Sequence, residues 1–238
     1  MMRFKSIFLG AFLFSTILIS CEKKDDGMNN RANDVADDTP PPIEKPVEQP
    51  VQTITQDTAV VTDIVTINTS LGAITVGLFG NDAPNTVKNF VELSKKNYYD
   101  GILFHRVAKG FVIQAGDPQS RDASLKDKWG TGGETWNKEP LIDELNPETP
   151  SFKIGYPKGT LAMGKSQEAN SARSQFFITT ADAPQLPRDY PIFGKVLSGM
   201  DVVDKIGNAE IEAGPMGGAD GTPLKPISIK STKVEKAK

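Results

Sequence analysis

Residues 104–117 run Phe-His-Arg-Val-Ala-Lys-Gly-Phe-Val-Ile-Gln-Ala-Gly-Asp, two short apolar stretches that turn through Gly110. They read as paired strands. Arg106 stands among Phe104, Val107 and Phe111, and Gln114 interrupts the second stretch in the same way. An arginine in an apolar run is costly unless its head meets a partner or an open cleft. Two planar hydrogen-bonding side chains beside aromatics therefore point to a groove that is greasy on one side and offers hydrogen bonds on the other.

The rest of the chain reads as a frame for that groove. Val61, Asp63, Val65 and Ile67 alternate with Thr62, Thr66 and Asn68, and alternation resumes after Gly72 with Ile74, Val76 and Leu78. Two period-2 runs around a glycine predict a β-hairpin. Pro84 opens a helix at the position where its missing N–H costs least. Val87, Phe90 and Val91 recur at helical spacing, and Lys95-Lys96-Asn97 close the last turn. Strand-like runs return at 159–163, 176–179 and 192–196. A short helix over 200–206 follows, then a Gly-rich loop over 207–223, and a last strand around Ile227 and Ile229. Many short strands with two helices predict a closed antiparallel barrel, and closure would also remove sheet edges.

Residues 118–158 are polar and rich in Gly and Pro, and read as a long ordered loop, a kind often tied to function. Its Gly130-Thr131-Gly132-Gly133 run lacks the following Lys-Ser/Thr of a phosphate cradle, so tight turns beside a groove are the better reading.

The N-terminal quarter is of another kind. Arg3 and Lys5 precede an apolar run over residues 7–19, shorter than the ~20 residues needed to span a bilayer as a helix. Residues 1–20 read as a secretory signal. Leu18-Ile19-Ser20-Cys21 looks like a bacterial lipobox, in which Cys21 would be lipidated and become the mature N-terminus. Residues 21–60 carry Lys23-Lys24-Asp25-Asp26, Asp37-Asp38 and Pro40-Pro41-Pro42, with no helical or strand periodicity. Such a stretch cannot bury enough to offset its ordering, and reads as a disordered tether. The expected location is the bacterial cell envelope, lipid-anchored and extracytoplasmic, on either the periplasmic or the outer surface. The domain proper is placed at 61–238.

Charge follows that division. Of the formal −3, residues 22–60 contribute −5 and the first 21 contribute +2, so the domain is neutral. A neutral domain has no electrostatic reason to seek nucleic acid. One cysteine and one histidine, His105, exclude an internal disulfide, a CxxC pair and a zinc site built on several Cys and His ligands.

Phe104-His105-Arg106-Val107, Gly110-Phe111 and Gln114-Ala115-Gly116-Asp117 resemble the catalytic signature of cyclophilins, the peptidyl-prolyl cis-trans isomerases. The resemblance runs from about Asp63 to the C-terminus, with Ser174-Gln175-Phe176-Phe177-Ile178-Thr179 and Phe193-Gly194-Lys195-Val196 as further blocks in the family's order. It implies an eight-stranded antiparallel barrel with a helix covering each end. It also implies catalysis of rotation about X-Pro bonds without metal or cofactor.

In that light Arg106 is the donor to the substrate amide, and Gln114 fixes the guanidinium or bonds the substrate backbone. The proline slot is Phe111, Val112, Phe177 and Leu186, with Val112 where many relatives have methionine. Gln175 and Gly164 line the groove, and Tyr190 stands at its rim. His105 would face away from Arg106 if this segment is a strand. Gln185 falls where eukaryotic relatives carry a tryptophan that contacts cyclosporin, which predicts weak binding of that drug. The expected partners are proline-containing extended polypeptides and, through Cys21, a membrane, with a monomer as the default. The rival readings are a proline-segment binding module with incidental isomerisation and, less supported, an envelope structural protein.

Overall fold

The chain's computed structural model describes residues 58–214 and 217–238. The signal segment, Cys21 and all but the last three residues of the tether lie outside them. Strands β1 (Asp63–Thr69) and β2 (Gly72–Leu78) form the expected hairpin, with Val65 opposite Val76 and Ile67 opposite Ile74. The side chains of Val65, Ile67, Ile74, Val76 and Leu78 are fully buried. The turn is tied by Thr69, whose hydroxyl donates to the Gly72 carbonyl at 2.7 Å and accepts from Leu71 N at 3.1 Å.

Helix α1 (Pro84–Lys95) begins at the proline, as the sequence predicts. Its cap residue Ala83 has no hydrogen-bonding side-chain group to offer. Glu144, from the long loop, supplies the acceptor instead. Its carboxylate takes the backbone N–H groups of Asn85 at 3.0 Å and Thr86 at 2.8 Å, two of the donors a helix start leaves open. The buried face of α1 carries Val87, Phe90, Val91 and Leu93. Phe90 packs on Tyr99, Phe176 and Phe193 at ring separations of 5.1–5.3 Å.

The remaining elements are β3 (Arg106–Ala108), β4 (Val112–Ala115), α2 (Pro150–Ile154), β5 (Thr160–Met163), β6 (Phe176–Thr179) and β7 (Ile192–Ser198). They are followed by α3 (Met200–Gly207), β8 (Ile211–Ala213), β9 (Asp220–Pro223) and β10 (Ile229–Lys236). All strand pairs are antiparallel, in the order β10-β1-β2-β7-β5-β6-β4-β3-β9-β8. Helix α3 buries Val202, Val203 and Ile206.

The fold is mainly β and antiparallel, but two details differ from the expected eight strands and two helices. Among the described residues there are ten strands and three α-helices, with two short 3-10 turns in the long loop. The added strands β8 and β9 come from the stretch expected to be a loop, where Gly and Pro disguise a short hairpin. The added helix α2 is a five-residue turn inside the loop over 118–158. Nor do the strands pair into a continuous ring, because the row ends at β10 and β8. An isolated bridge between Leu103 and Ser228, flanked by Gly101 N donating to Ile229 O and Phe104 N to Ile227 O, ties the start of β10 to the segment before β3.

The sheet separates two apolar groups. Val107, Ile113, Ala115, Phe176, Ile178, Leu161 and Met163 face the main core with Phe90. Ala108, Val112, Phe177 and Ala162 face the other way and pack with Phe79, Tyr156, Ala183 and Ile192. That second face carries the site.

Candidate active site

Register builds the site. Arg106 on β3 lies opposite Gln114 on β4, Gln114 opposite Phe177 on β6, and Phe177 opposite Ala162 on β5. Residues directly opposite in a sheet share a face, so an arginine, a glutamine, a phenylalanine and an alanine lie in one row across four strands. The neighbouring row places Ala108 opposite Val112 and Val112 opposite Thr179. Phe111, Leu186 and Tyr190 pack onto this surface, and the ring of Tyr190 meets Phe177 edge-on at 5.6 Å. The predicted slot residues Phe111, Val112, Phe177 and Leu186 are thus brought together beside Arg106 and Gln114.

The polar half is a relay with one possible direction. An arginine only donates. Its Nη1 donates to Gln114 Oε1 at 3.2 Å, which leaves Gln114 Nε2 to donate to Gln175 Oε1 at 2.8 Å. Gln175 Nε2 then donates to the carbonyls of Gly130 at 3.0 Å and Gly132 at 2.7 Å. Those glycines are held in turn by the fully buried Asp117, whose Oδ2 accepts from Gly130 N at 2.6 Å and Gly132 N at 3.0 Å. The Gly130–Gly133 run is therefore a turn that backs the groove, and two of its N–H groups are already taken. Gly164 sits against both glutamines: a Cβ there would lie 3.3 Å from Gln114 Nε2 and 3.3 Å from Gln175 Cβ.

Several contributors escaped the sequence reading. Asp220, from β9, grips the other edge of Arg106: Nε donates to Oδ1 and Oδ2 at 3.0 and 3.1 Å, and Nη2 to Oδ2 at 2.6 Å. The Tyr156 hydroxyl donates to the Tyr190 carbonyl at 2.9 Å and accepts from Tyr190 N at 3.1 Å, which pins the loop that carries Leu186. Lys165 Nζ lies 3.1 Å from Asp143 and 3.3 Å from Asp189, joining the long loop to the same segment. None of these pairings has a local signal, since each joins residues more than twenty positions apart.

His105, one residue before β3, is 5% exposed and lines the same cleft as Arg106, so the alternation expected of a strand does not extend to it. Among the described residues neither ring nitrogen has a hydrogen-bond partner. Burial pulls its pKa from 6.5 down to about 4, against the opposing pull of Asp117 and the backbone of Leu103; Arg106 lowers it further. A neutral ring thus borders the site. Beside Arg106 a cleft of about 590 Å³ opens between β8–β9 and the turn Ala123–Lys128, walled by Lys126, Trp129, Glu212 and Asp220. Gln185 is exposed.

The arrangement holds an apolar ring-sized surface next to a rigid cationic donor. Comparison with known proteins places the chain in one family. The family model for cyclophilin type peptidyl-prolyl cis-trans isomerase/CLD matches residues 64–234. A peptidyl-prolyl cis-trans isomerase of Arabidopsis thaliana is 37% identical over 172 residues, covering 71% of this chain and 92% of its own. One from Acinetobacter baylyi is 36% identical over 182 residues, covering 74% and 88%. The crystal structure of a cyclophilin type isomerase from Cryptosporidium parvum superposes with a TM-score of 0.63 at 31% identity, over 75% of this chain and 100% of that one. A second crystal structure of that protein, in the presence of the dipeptide Ala-Pro, gives 0.62 at 32% identity, over 73% and 99%.

Proposed function

The chain belongs to the cyclophilin-type peptidyl-prolyl cis-trans isomerases, and from that premise we propose that Arg106 catalyses rotation by donating a hydrogen bond to the substrate's X-Pro amide. The X-Pro bond resists rotation because the nitrogen lone pair is shared with the carbonyl, with a barrier of about 18–20 kcal/mol. Uncatalysed exchange takes tens of seconds or more, so millisecond turnover requires an acceleration of roughly 10⁴, or about 5–6 kcal/mol.

A donor aimed at the nitrogen as it becomes pyramidal supplies stabilisation that the planar ground state does not receive. Such a contact is strongest where water is scarce and the donor is fixed. The slot of Phe111, Val112, Phe177 and Leu186 holds the proline ring; burying three methylenes contributes roughly 2 kcal/mol. That contribution secures binding, whereas the rate needs an interaction that grows in the transition state. The observation that carries this reading is the row that sets Arg106, Gln114 and Phe177 side by side.

The substrates are proline-bearing extended segments. The presence of Ala-Pro in the Cryptosporidium parvum crystals supports the class. We read the Leu103–Ser228 bridge as the seam at which the sheet closes on itself. The signal-like segment and Cys21 support a lipid-anchored enzyme acting on extracytoplasmic proteins.

One observation favours the rival reading of a binding module. The ion pair with Asp220 offsets the charge of Arg106 and occupies two of its N–H groups, and a guanidinium already paired is a weaker donor to a further acceptor. Exchange spectroscopy on an X-Pro peptide, comparing the parent with Arg106→Ala, separates the two. The enzyme reading expects a large loss in the variant. Exchange at the solvent rate with both proteins would leave only binding. For the anchor, cells fed labelled fatty acid are expected to mark the parent and not Cys21→Ser; label on both, or on neither, would refute it.

A further inference from the structure

The pair that weakens Arg106 in one reading has a geometry suited to a different task. A guanidinium carries five N–H bonds. Asp220 takes the one on Nε and one on Nη2, and Gln114 takes one on Nη1. One hydrogen on each terminal nitrogen remains for a substrate. The two acceptors hold the group from opposite sides, Gln114 from β4 and Asp220 from β9, so its plane is fixed at both edges.

Asp220 is itself firmly held. On one side of it Lys109 N donates to the Ala219 carbonyl at 2.8 Å, and on the other the Thr222 hydroxyl donates to the His105 carbonyl at 2.9 Å, joining β9 to β3. Its neighbour Gly221 lies so close to β8 that a Cβ would sit 2.0 Å from the Glu212 carbonyl oxygen. Glu212 is in turn ion-paired with Lys126 across the cleft. The carboxylate is only 21% exposed, and it meets the arginine through the side-on fork that suits a carboxylate best.

We propose that Asp220 is a positioning residue for the isomerisation, holding the Nε/Nη2 edge of Arg106 so that its remaining N–H groups are presented to the substrate amide. The inference rests on Arg106 being the donor. A long side chain with one anchored edge can swing about it; a second anchor removes that freedom before the substrate arrives. Oriented donors act without reorganising during the reaction. The carboxylate touches no substrate atom and works only through the guanidinium.

The test compares the parent with Asp220→Ala, the isosteric Asp220→Asn, Arg106→Ala and the double variant, by NMR exchange at several concentrations of one X-Pro peptide. Thermal unfolding of each variant monitors the fold. Asp220→Ala is expected to lower the saturated exchange rate about tenfold, with little change in the concentration for half-saturation. Asp220→Asn, with one acceptor oxygen left, falls in between. The double variant is expected to be no slower than Arg106→Ala, and the Arg106 Nε–H resonance to lose its hydrogen-bonded shift in Asp220→Ala. Parental rates in both Asp220 variants, with Arg106→Ala inactive, would overturn the positioning role and leave the donor reading intact. Faster exchange in Asp220→Ala, or further slowing in the Arg106→Ala background, would also overturn it. A fully active Arg106→Ala would instead remove the donor reading, and this inference with it.

Discussion

Lowering the pH from 7 to 4 should destabilise this protein through one group that can be watched alone. His105 is the chain's only histidine, so its ring protons give an unambiguous titration. Its folded pKa is about 4, against 6.5 for an ordinary imidazole, chiefly because burial penalises the cation. Above about pH 6.5 the ring is neutral in both folded and unfolded chains and its contribution to stability is fully present. Between 6.5 and 4 the unfolded chain takes up the proton and the native one does not, so stability falls as the pH falls. Over that shift the loss reaches about 3 kcal/mol, at 1.36 kcal/mol for each unit. For a domain of this size, that is roughly 6–12 °C in Tm.

Carboxylates titrate near the bottom of the same window, so the measurement is a difference. Urea unfolding at intervals from pH 7 to 4 is run on the parent and on His105→Leu, which cannot take up a proton there. The stability of the parent relative to the variant should decline through the window and level off near its lower end. An imidazole that titrates near 6.5 in the folded protein would refute the reasoning, as would a difference between the two proteins that stays flat.

Three other outcomes are expected. Phe177→Ala removes a ring that is 5% exposed and packed on Tyr190 and Tyr156, and should cost about 3–5 kcal/mol in chemical denaturation while raising KM for X-Pro peptides. Glu144→Ala leaves Asn85 N and Thr86 N without their acceptor and should cost about 1 kcal/mol, read as a shifted urea midpoint at constant slope. Gln185→Trp restores the aromatic wall of cyclosporin-sensitive relatives at an exposed position, and an inhibition curve should move to lower drug concentration; an unchanged curve would show that the missing aromatic is not what limits binding.

The β1–β2 hairpin, α1 and α3 were legible in the sequence because each declares itself within a dozen residues. Alternation around Gly72, a proline at a helix start, and Val202, Val203 and Ile206 at helical spacing need no distant partner. Arg106 stands out as an arginine in an apolar run, while the slot residues and its role as donor come from a resemblance, and the antiparallel register explains why they meet. Strands β8 and β9 pass for loop in the sequence because three or four residues with a Pro and Gly background carry too little periodicity to stand out. Asp220 could not be foreseen: it meets Arg106 across 114 positions, on a strand whose own existence was hidden. Glu144 likewise reaches α1 from 59 residues away. Such contacts are set by where the sheet brings its strands, which a local pattern does not encode.

The uncharged state of His105 also bears on how the site works. His105 and Arg106 line one cleft, so the guanidinium stands beside a buried ring that stays neutral. A protonated ring there would add a like charge beside the guanidinium and a charge inside the protein. The site can then rely on fixed hydrogen bonds alone. From Asp117 through the glycine turn, Gln175 and Gln114 to Arg106, each link joins a donor to an acceptor, and each amide has one orientation that satisfies its neighbours. Flipping either glutamine would set donor against donor at Arg106 or acceptor against acceptor at the glycine carbonyls. The buried Asp117 and the turn it holds therefore help to set the direction of a guanidinium they never touch. On the proposed reading, in which Arg106 donates to an amide and no bond breaks, this fixed direction is the main thing the protein has to supply.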